Sequence, residues 1–289
     1  MQLQADLVDL KLLKDICSSA VLHSKSCQLH FDAELFTLSN AIPNAGIHYT
    51  CQIPHDRIFS ESSLVAGDPK SFINVEINVE SLLKTLKTIS SNNSVRLKLK
   101  HRSPPHQGSY FIITSMQCLD NETFYPVSHE IAVIETPHVD YPSMDFSDPG
   151  VVLLELQDIM PGLLRTSERY RALDTYIYIQ GKPTGFIFQI ESRSLLGNVR
   201  STWKGLTPLK VMDSNPSDSL EASQQHEDEF QSVRVRSRDW YNVLQMSAWM
   251  SKFVVCISDH NGVSVYGFLS PAMSDKEGTF HVQLGHISE

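Results

Sequence analysis

Residues 95–100 read Val-Arg-Leu-Lys-Leu-Lys, one apolar residue for every basic one. Strict alternation places alternate side chains on opposite faces, so this stretch predicts a strand with one face buried and the other in water. Similar short apolar or alternating runs predict strands over Gln28–Phe31, Leu35–Leu38, Ile47–Ile53, Phe72–Ile77, Tyr110–Met116 and His129–Ile134. Further along they predict strands over Val151–Leu154, Thr175–Gln180, Phe186–Glu191, Leu195–Trp203, Val233–Val235, Phe253–Ser258 and Val263–Leu269. Four segments change period. Leu10–Leu22 repeats Leu12, Leu13, Ile16, Cys17 and Ala20; Val79–Ser90 repeats Leu82, Leu83, Leu86 and Ile89. Leu156–Tyr170 repeats Ile159, Leu163, Leu164 and Tyr170; Arg238–Met250 repeats Trp240, Tyr241, Val243, Leu244 and Ala248. An apolar stripe at helical spacing predicts a helix with one face on a sheet. Pro161 falls in the first turn of the third helix, where proline costs least.

These elements repeat. A shift that carries Val75 onto Val233 carries Ile77 onto Val235, Leu82 onto Trp240, Leu86 onto Leu244 and Val95 onto Phe253, without a gap. The opening strand and helix, 2–22, have a looser echo at 150–170. A strand–helix–strand unit that superimposes on a second copy points to a duplicated domain. Segment 135–150 holds Pro137, Pro142 and Pro149 and reads as an extended linker. The chain therefore divides into a first domain, 1–134, a linker, 135–150, and a second domain, 151–289. Within the second, 205–231 is polar, acidic and poor in apolar residues, and reads as a long mobile loop.

The formal net charge is −9, but it is unevenly spread. Segments 135–164 and 213–230 contain acids and neither lysine nor arginine. The rest of the chain is net basic and can face a polyanion. No apolar run reaches the length of a membrane span, and the opening MQLQADLVDL has acid where a signal peptide needs base. Cys17, Cys27, Cys51, Cys118 and Cys256 are scattered without a close pair, which argues against zinc and for reduced core thiols. Ser81-Leu-Leu-Lys84 matches the spacing of serine acyl-enzymes but has no accompanying base motif, and no phosphate-binding glycine loop is present. Neither an enzyme nor a cofactor is expected.

The duplicated strand–helix units, the antiparallel pattern and the extended linker resemble the sliding DNA clamps. Within them the chain is similar to Hus-one-type subunits of the heterotrimeric nine-one-one (9-1-1) DNA-damage checkpoint clamp. The stretches that carry the resemblance are MQLQADLVD, INVEINVESLLKTLKTISSNNSVRLKLK, HEIAVIETP and VYGFLSPAM. Gln2 and Gln4 depart from the family's basic tendency in the opening strand.

The resemblance implies an α+β clamp fold, two duplicated domains of antiparallel sheets with the helices lining the interior of a ring. It implies that Lys11, Lys14, Lys25, Lys84, Lys87, Arg165, Arg169, Arg238 and Lys252 face duplex DNA. Such residues attract phosphates without reading bases, which suits a ring that slides. It implies subunit contacts through His129, Ile131, Val133, Leu195, Leu196 and Trp203, residues that fit an ordinary core equally well. The linker sequences Asp140-Tyr141-Pro142 and Met144-Asp145-Phe146 are placed beside a pocket for short peptide motifs, or serve only as a tether. The implied partners are two other clamp-like subunits, a clamp loader, double-stranded DNA, and checkpoint and repair proteins, with no membrane. The implied location is the nucleus, with the cytoplasm before assembly. A homotrimeric replication clamp and a β-rich interaction scaffold without a DNA role stay open as alternatives.

Overall fold

The structure is a computed structural model that describes residues 3–32, 34–40, 47–60, 72–90, 94–102, 108–118, 124–137, 152–182, 184, 186–194, 197–208, 230–259, 262–273, 277–285 and 287. Most of the expected linker, with its Tyr141 and Phe146 sequences, and most of the acidic loop lie outside the described residues. The chain divides into two compact units, the first built mainly on Met1–Ile42 and Thr50–Asp140, the second on Tyr141–Ser274 and Thr279–Glu289.

In the first unit the elements run β1 (Gln4–Leu7), α1 (Leu10–Val21), β2 (Ser26–Phe31), β3 (Leu35–Asn40), β4 (Ile47–Pro54), the single turn α2 (His55–Ile58), β5 (Ile73–Asn78), α3 (Val79–Thr88), β6 (Val95–Arg102), β7 (Gly108–Cys118) and β8 (Phe124–Glu135). The strands order as β1-β6-β7-β8 and β5-β2-β3-β4, joined where Ile77, Glu76 and Val75 of β5 oppose Val133, Ile134 and Glu135 of β8. Helices α1 and α3 pack against each other and bury Leu13, Ile16, Leu82, Leu83 and Leu86. Beneath them Phe31 meets Phe36, Phe59 and Phe111 at centroid distances of 5.2, 5.9 and 6.1 Å.

The second unit runs β9 (Val152–Glu155), a 3-10 turn over Gln157–Ile159, α4 (Met160–Leu173), β10 (Tyr176–Lys182), β11 (Ile187–Ser194), β12 (Gly197–Trp203), β13 (Thr207–Pro208), β14 (Gln231–Arg236), α5 (Ser237–Leu244) with a 3-10 extension over Gln245–Ala248, β15 (Lys252–Ser258), β16 (Gly262–Phe268) and β17 (Thr279–Leu284). Its strands order as β9-β15-β16-β17 and β14-β10-β11-β12, with β13 added beside β9. That is the order of the first unit, strand for strand. The shift from Val75 to Val233 also carries the first residue of β5 onto that of β14, and the first residue of α3 onto that of α5. The duplication read from the sequence is a duplication of fold.

The differences from the sequence reading have physical causes. Strand β8 begins at Phe124 rather than His129, because Pro126 and exposed Phe124 and Tyr125 hide the alternation on a strand open along one side. Strand β17 is short and of mixed polarity, so the pattern, whose last expected strand is Val263–Leu269, does not announce it; it is the last strand among the described residues. Helix α4 ends at Leu173, beyond Tyr170, and α5 is shorter than its apolar pattern and tightens into 3-10 turns.

Three of the five thiols, Cys17, Cys27 and Cys51, are buried and free. Burial pushes the Cys17 thiol up to about 12 and the other two well above their usual range, so they act as small core groups. His23, just past α1, is also buried, and burial lowers its imidazole to about 4. The folded state holds this ring neutral, whereas the unfolded chain protonates near 6.5. The unfolded state thus binds more protons between these values, and stability is fully present above pH 6.5 and falls as pH drops toward 4. Between pH 7 and pH 5 His23 should withdraw about 2 kcal/mol. In urea unfolding at the two pH values, His23→Gln should flatten the pH dependence by that amount. An unchanged slope would show that the ring is not held neutral.

Candidate nucleic-acid interface and assembly edges

The solvent faces of the helices are built by local rules. Asp9 caps α1 by accepting from Leu12 N–H at 2.8 Å, and Asn78 caps α3 by accepting from Ser81 N–H at 2.8 Å. Pro161 occupies the first turn of α4 as expected. Helix α5 lacks a side-chain cap; Ser237 instead seats its start by donating Oγ–H to the Asp174 carbonyl at 2.6 Å. The apolar stripes face inward, and what remains outward on α1, α3, α4 and α5 is twice as rich in basic residues as in acidic ones. The acids are Asp15, Glu80, Glu168 and Asp239.

In the first unit Lys11, Lys25, Lys84 and Lys87 are exposed. Lys84 pairs with Glu80 one turn back at 2.7 Å and keeps 74% of its side chain exposed. The hydrogen bond and charge of Lys84 hold the Glu80 carboxyl below its ordinary range. Lys14 has a different post: its ammonium donates to the Ile89 carbonyl at 2.8 Å. It thereby ties α1 to the C-terminal end of α3, where the helix dipole favours a cation. In the second unit Arg165, Arg169 and Arg238 are exposed. Lys252 is half-buried and donates to Glu155 at 2.8 Å. The sequence reading missed Arg171, whose guanidinium lies 4.4 Å from the Tyr241 ring centre and joins α4 to α5. A search for pairs one turn apart passes over it.

Strand β8 is paired with β7 along Phe124–Val133, but on its other side with β5 only at Val133–Glu135. Among the described residues nothing pairs with that other side over Phe124–Ile131. Strand β12 pairs with β11 and is likewise open on its far side among the described residues. Ile131 and Val133 turn inward and are 8% exposed, so they belong to the core beneath α3. His129 is half-buried, 3.5 Å from Thr88 Oγ1. What the β8 edge offers outward is its backbone, with Phe124, Tyr125 and Ile134 exposed beside it. Trp203 on β12 is half-buried against Phe188, at 5.7 Å between centroids. Leu195 and Leu196 lie outside the described residues.

Comparison with known proteins places this arrangement. No curated protein sequence matches significantly. The structure is similar to that of Proliferating Cellular Nuclear Antigen from Entamoeba histolytica, with a TM-score of 0.69 at 11% identity over 99% of both chains. It is similar to PCNA from Thermococcus kodakaraensis, with a TM-score of 0.67 at 12% identity over 99% of this chain and 100% of the other. The fold is therefore the clamp fold of those proteins, α+β with mostly antiparallel strands. Residues 1–282 match the model of the family described as Hus1-like protein; with that match running through both copies of the fold, the chain belongs to the Hus1-like protein family.

Proposed function

We propose that this chain is one subunit of a heterotrimeric checkpoint clamp. It joins two different clamp-like chains in a ring, a separate loader opens that ring on DNA, and the closed ring carries checkpoint and repair proteins at damage sites. The observation that carries this reading is the Hus1-like match across both copies of a clamp fold. The basic excess on the helix faces of an acidic chain supports duplex DNA as the enclosed partner, and the open edges of β8 and β12 support pairing between subunits. The mechanism is topological and non-enzymatic: enclosure holds the DNA, and exposed lysines and arginines offset the repulsion between DNA and the acidic chain. It acts in the nucleus, with the cytoplasm as its place before assembly.

The test is the native mass of the complex purified gently from its own cells, with its partners identified. A complex of about three times the 32.6 kDa subunit mass, with two other clamp-like chains, supports the reading. A homotrimer would make it a replication-type clamp, and a chain without clamp-like partners would leave an interaction scaffold.

The DNA contact has its own test. Lys84→Glu with Lys87→Glu should weaken duplex binding by the assembled ring about tenfold or more at moderate salt, and lower the slope of log affinity against log salt by about 2. The fold should tolerate the change, since both side chains are exposed and so is Glu80, one turn back, where water screens the new repulsion. Equal affinity and an equal salt slope would remove α3 from the DNA-facing surface.

A further inference from the structure

The second unit presents a face that its duplicate does not. On the side of the β14-β10-β11-β12 sheet turned away from the buried Ile177, Ile179 and Ile190, one register row reads Arg200, Glu191, Tyr178 and Arg234 across the four strands. In the neighbouring row Asn198 opposes Arg193, and Tyr176 opposes Arg236. Three of the four arginines, Arg193, Arg200 and Arg234, are held in place by neighbours on the face. Arg193 lies 4.1 Å from the Tyr178 ring centre and Arg234 lies 4.4 Å from that of Tyr176. Arg193 and Arg200 each donate Nη2–H to Glu191, both at 3.0 Å, and this carboxylate is 2% exposed while the arginine side chains are 45% and 56% exposed. Burial raises the Glu191 carboxyl, but the hydrogen bonds and charges of Arg193 and Arg200 outweigh it and leave it below its ordinary range. Glu191 thus stays ionised and fixes two guanidinium groups.

The fold does not require any of this. In the first unit the matching row reads Thr50, Ser39, Gln28 and Glu76. Neutral and acidic residues there make the same strand pairings. Four arginines and two tyrosines over two rows are a departure between two copies of one architecture.

The chemistry of the face selects its occupant. Guanidinium presents a planar fork that grips phosphate oxygens two at a time, and stacking on an aromatic ring lowers the entropy lost on binding. The cluster is compact. Four strands by two register positions span roughly 14 by 7 Å. The following row is uncharged: Thr202, Gln189, Gln180 and Ser232. A duplex backbone needs a longer basic track, whereas one phosphate flanked by carboxylates fits this area. We infer that this sheet face docks a short acidic segment of a partner protein bearing a phosphorylated side chain.

The test is fluorescence anisotropy with the full chain and three labelled probes. The first is an Asp- and Glu-rich peptide of about ten residues with a central phosphoserine, the second the same peptide with serine, the third a single-stranded oligonucleotide of similar length. The phosphopeptide should bind more tightly than the serine form, and Arg234→Gln with Arg236→Gln should weaken it at least tenfold. Because Arg234 also packs on Tyr176, the single Arg236→Gln, an exposed position, is measured beside it and should weaken binding about threefold with an unchanged melting curve. Hydrogen exchange should show protection of β10 and β14 on adding the phosphopeptide. The inference is overturned by no phosphopeptide binding, by equal binding of the serine form, or by binding that both variants leave intact. It is also overturned if the oligonucleotide outbinds the phosphopeptide and depends on the same two arginines, which would make the face a nucleic-acid site. None of these outcomes bears on the subunit composition of the clamp, which native mass decides separately.

Discussion

Trp240→Ala should unfold the second unit at physiological temperature, or bring it close to doing so. Trp240 is fully buried on α5. Its indole N–H donates to Ser167 Oγ on α4 at 3.1 Å, and its ring lies 6.0 Å from Phe188 on β11. One side chain therefore joins both helices to the sheet beneath them. Truncating a buried tryptophan costs about 3–5 kcal/mol, and the Ser167 hydroxyl, itself buried, loses its partner as well. Against a typical total of roughly 5–15 kcal/mol for a domain, that is a large share. The loss also reaches the open strand β12, because Phe188 packs against Trp203. Urea unfolding followed by far-ultraviolet circular dichroism should show a transition at clearly lower denaturant. Fluorescence from the remaining Trp203 and Trp249 should shift with it. A midpoint within experimental error of the parent would mean that α5 is held by something other than this contact. Leu82→Ala makes the comparison, since Leu82 occupies the same place on α3 under the Val75-to-Val233 shift. It should cost about 2–5 kcal/mol and act on the first unit.

That correspondence was legible in the sequence, and so was most of the fold. A repeat over strand, helix and strand survives divergence because each position keeps its burial even when Leu82 becomes Trp240. The family resemblance rested partly on the same unit, in INVEINVESLLKTLKTISSNNSVRLKLK. What the sequence hid was pairing. Alternation in Gln231–Arg236 and in Tyr176–Gln180 puts Arg234, Arg236, Tyr176 and Tyr178 on the polar faces of two strands, but only the register brings them into adjacent rows. The basic residues on the helices were legible as a surface property, since a lysine off an apolar stripe is on the outside. Their engagements were not. Lys14 and Lys252 look like Lys11 and Lys84 in a list of charges, yet one closes the C-terminal end of α3 and the other neutralises Glu155. The residues expected at subunit contacts divide along the same line. Ile131 and Val133 are apolar because they face α3, and the edge they belong to is open through its backbone, which a side-chain pattern does not record.

Ser128→Pro should abolish ring assembly while leaving the subunit folded. Backbone groups in an antiparallel strand point alternately to the two sides. Thr136 N–H donates to the Asn74 carbonyl on β5 at 3.2 Å, so even-numbered residues of β8 point their N–H and C=O groups to that side. Beyond Val133 the pairing with β5 stops, and the groups of Ser128 point to the open edge. The native Pro126 has the same parity and follows the rule that proline is tolerated in a sheet where its missing donor faces outward. A second proline at 128 removes one outward donor and stiffens the edge without deleting a bond to β7. Its local costs are the Ser128–Thr114 hydroxyl contact at 2.9 Å and a modest φ adjustment, together about 1–2 kcal/mol. An incoming strand, by contrast, loses a ladder bond in the middle of the edge and meets the ring where its carbonyl should dock. Co-purification of the partner chains should fall to background at subunit concentrations near micromolar, with a melting midpoint only a few degrees below the parent. Ser128→Ala, which keeps the donor, should assemble normally. Retention of partners by Ser128→Pro would mean that the neighbouring subunit uses another surface. Loss of partners by Ser128→Ala would place the contact in the side chain, not the backbone.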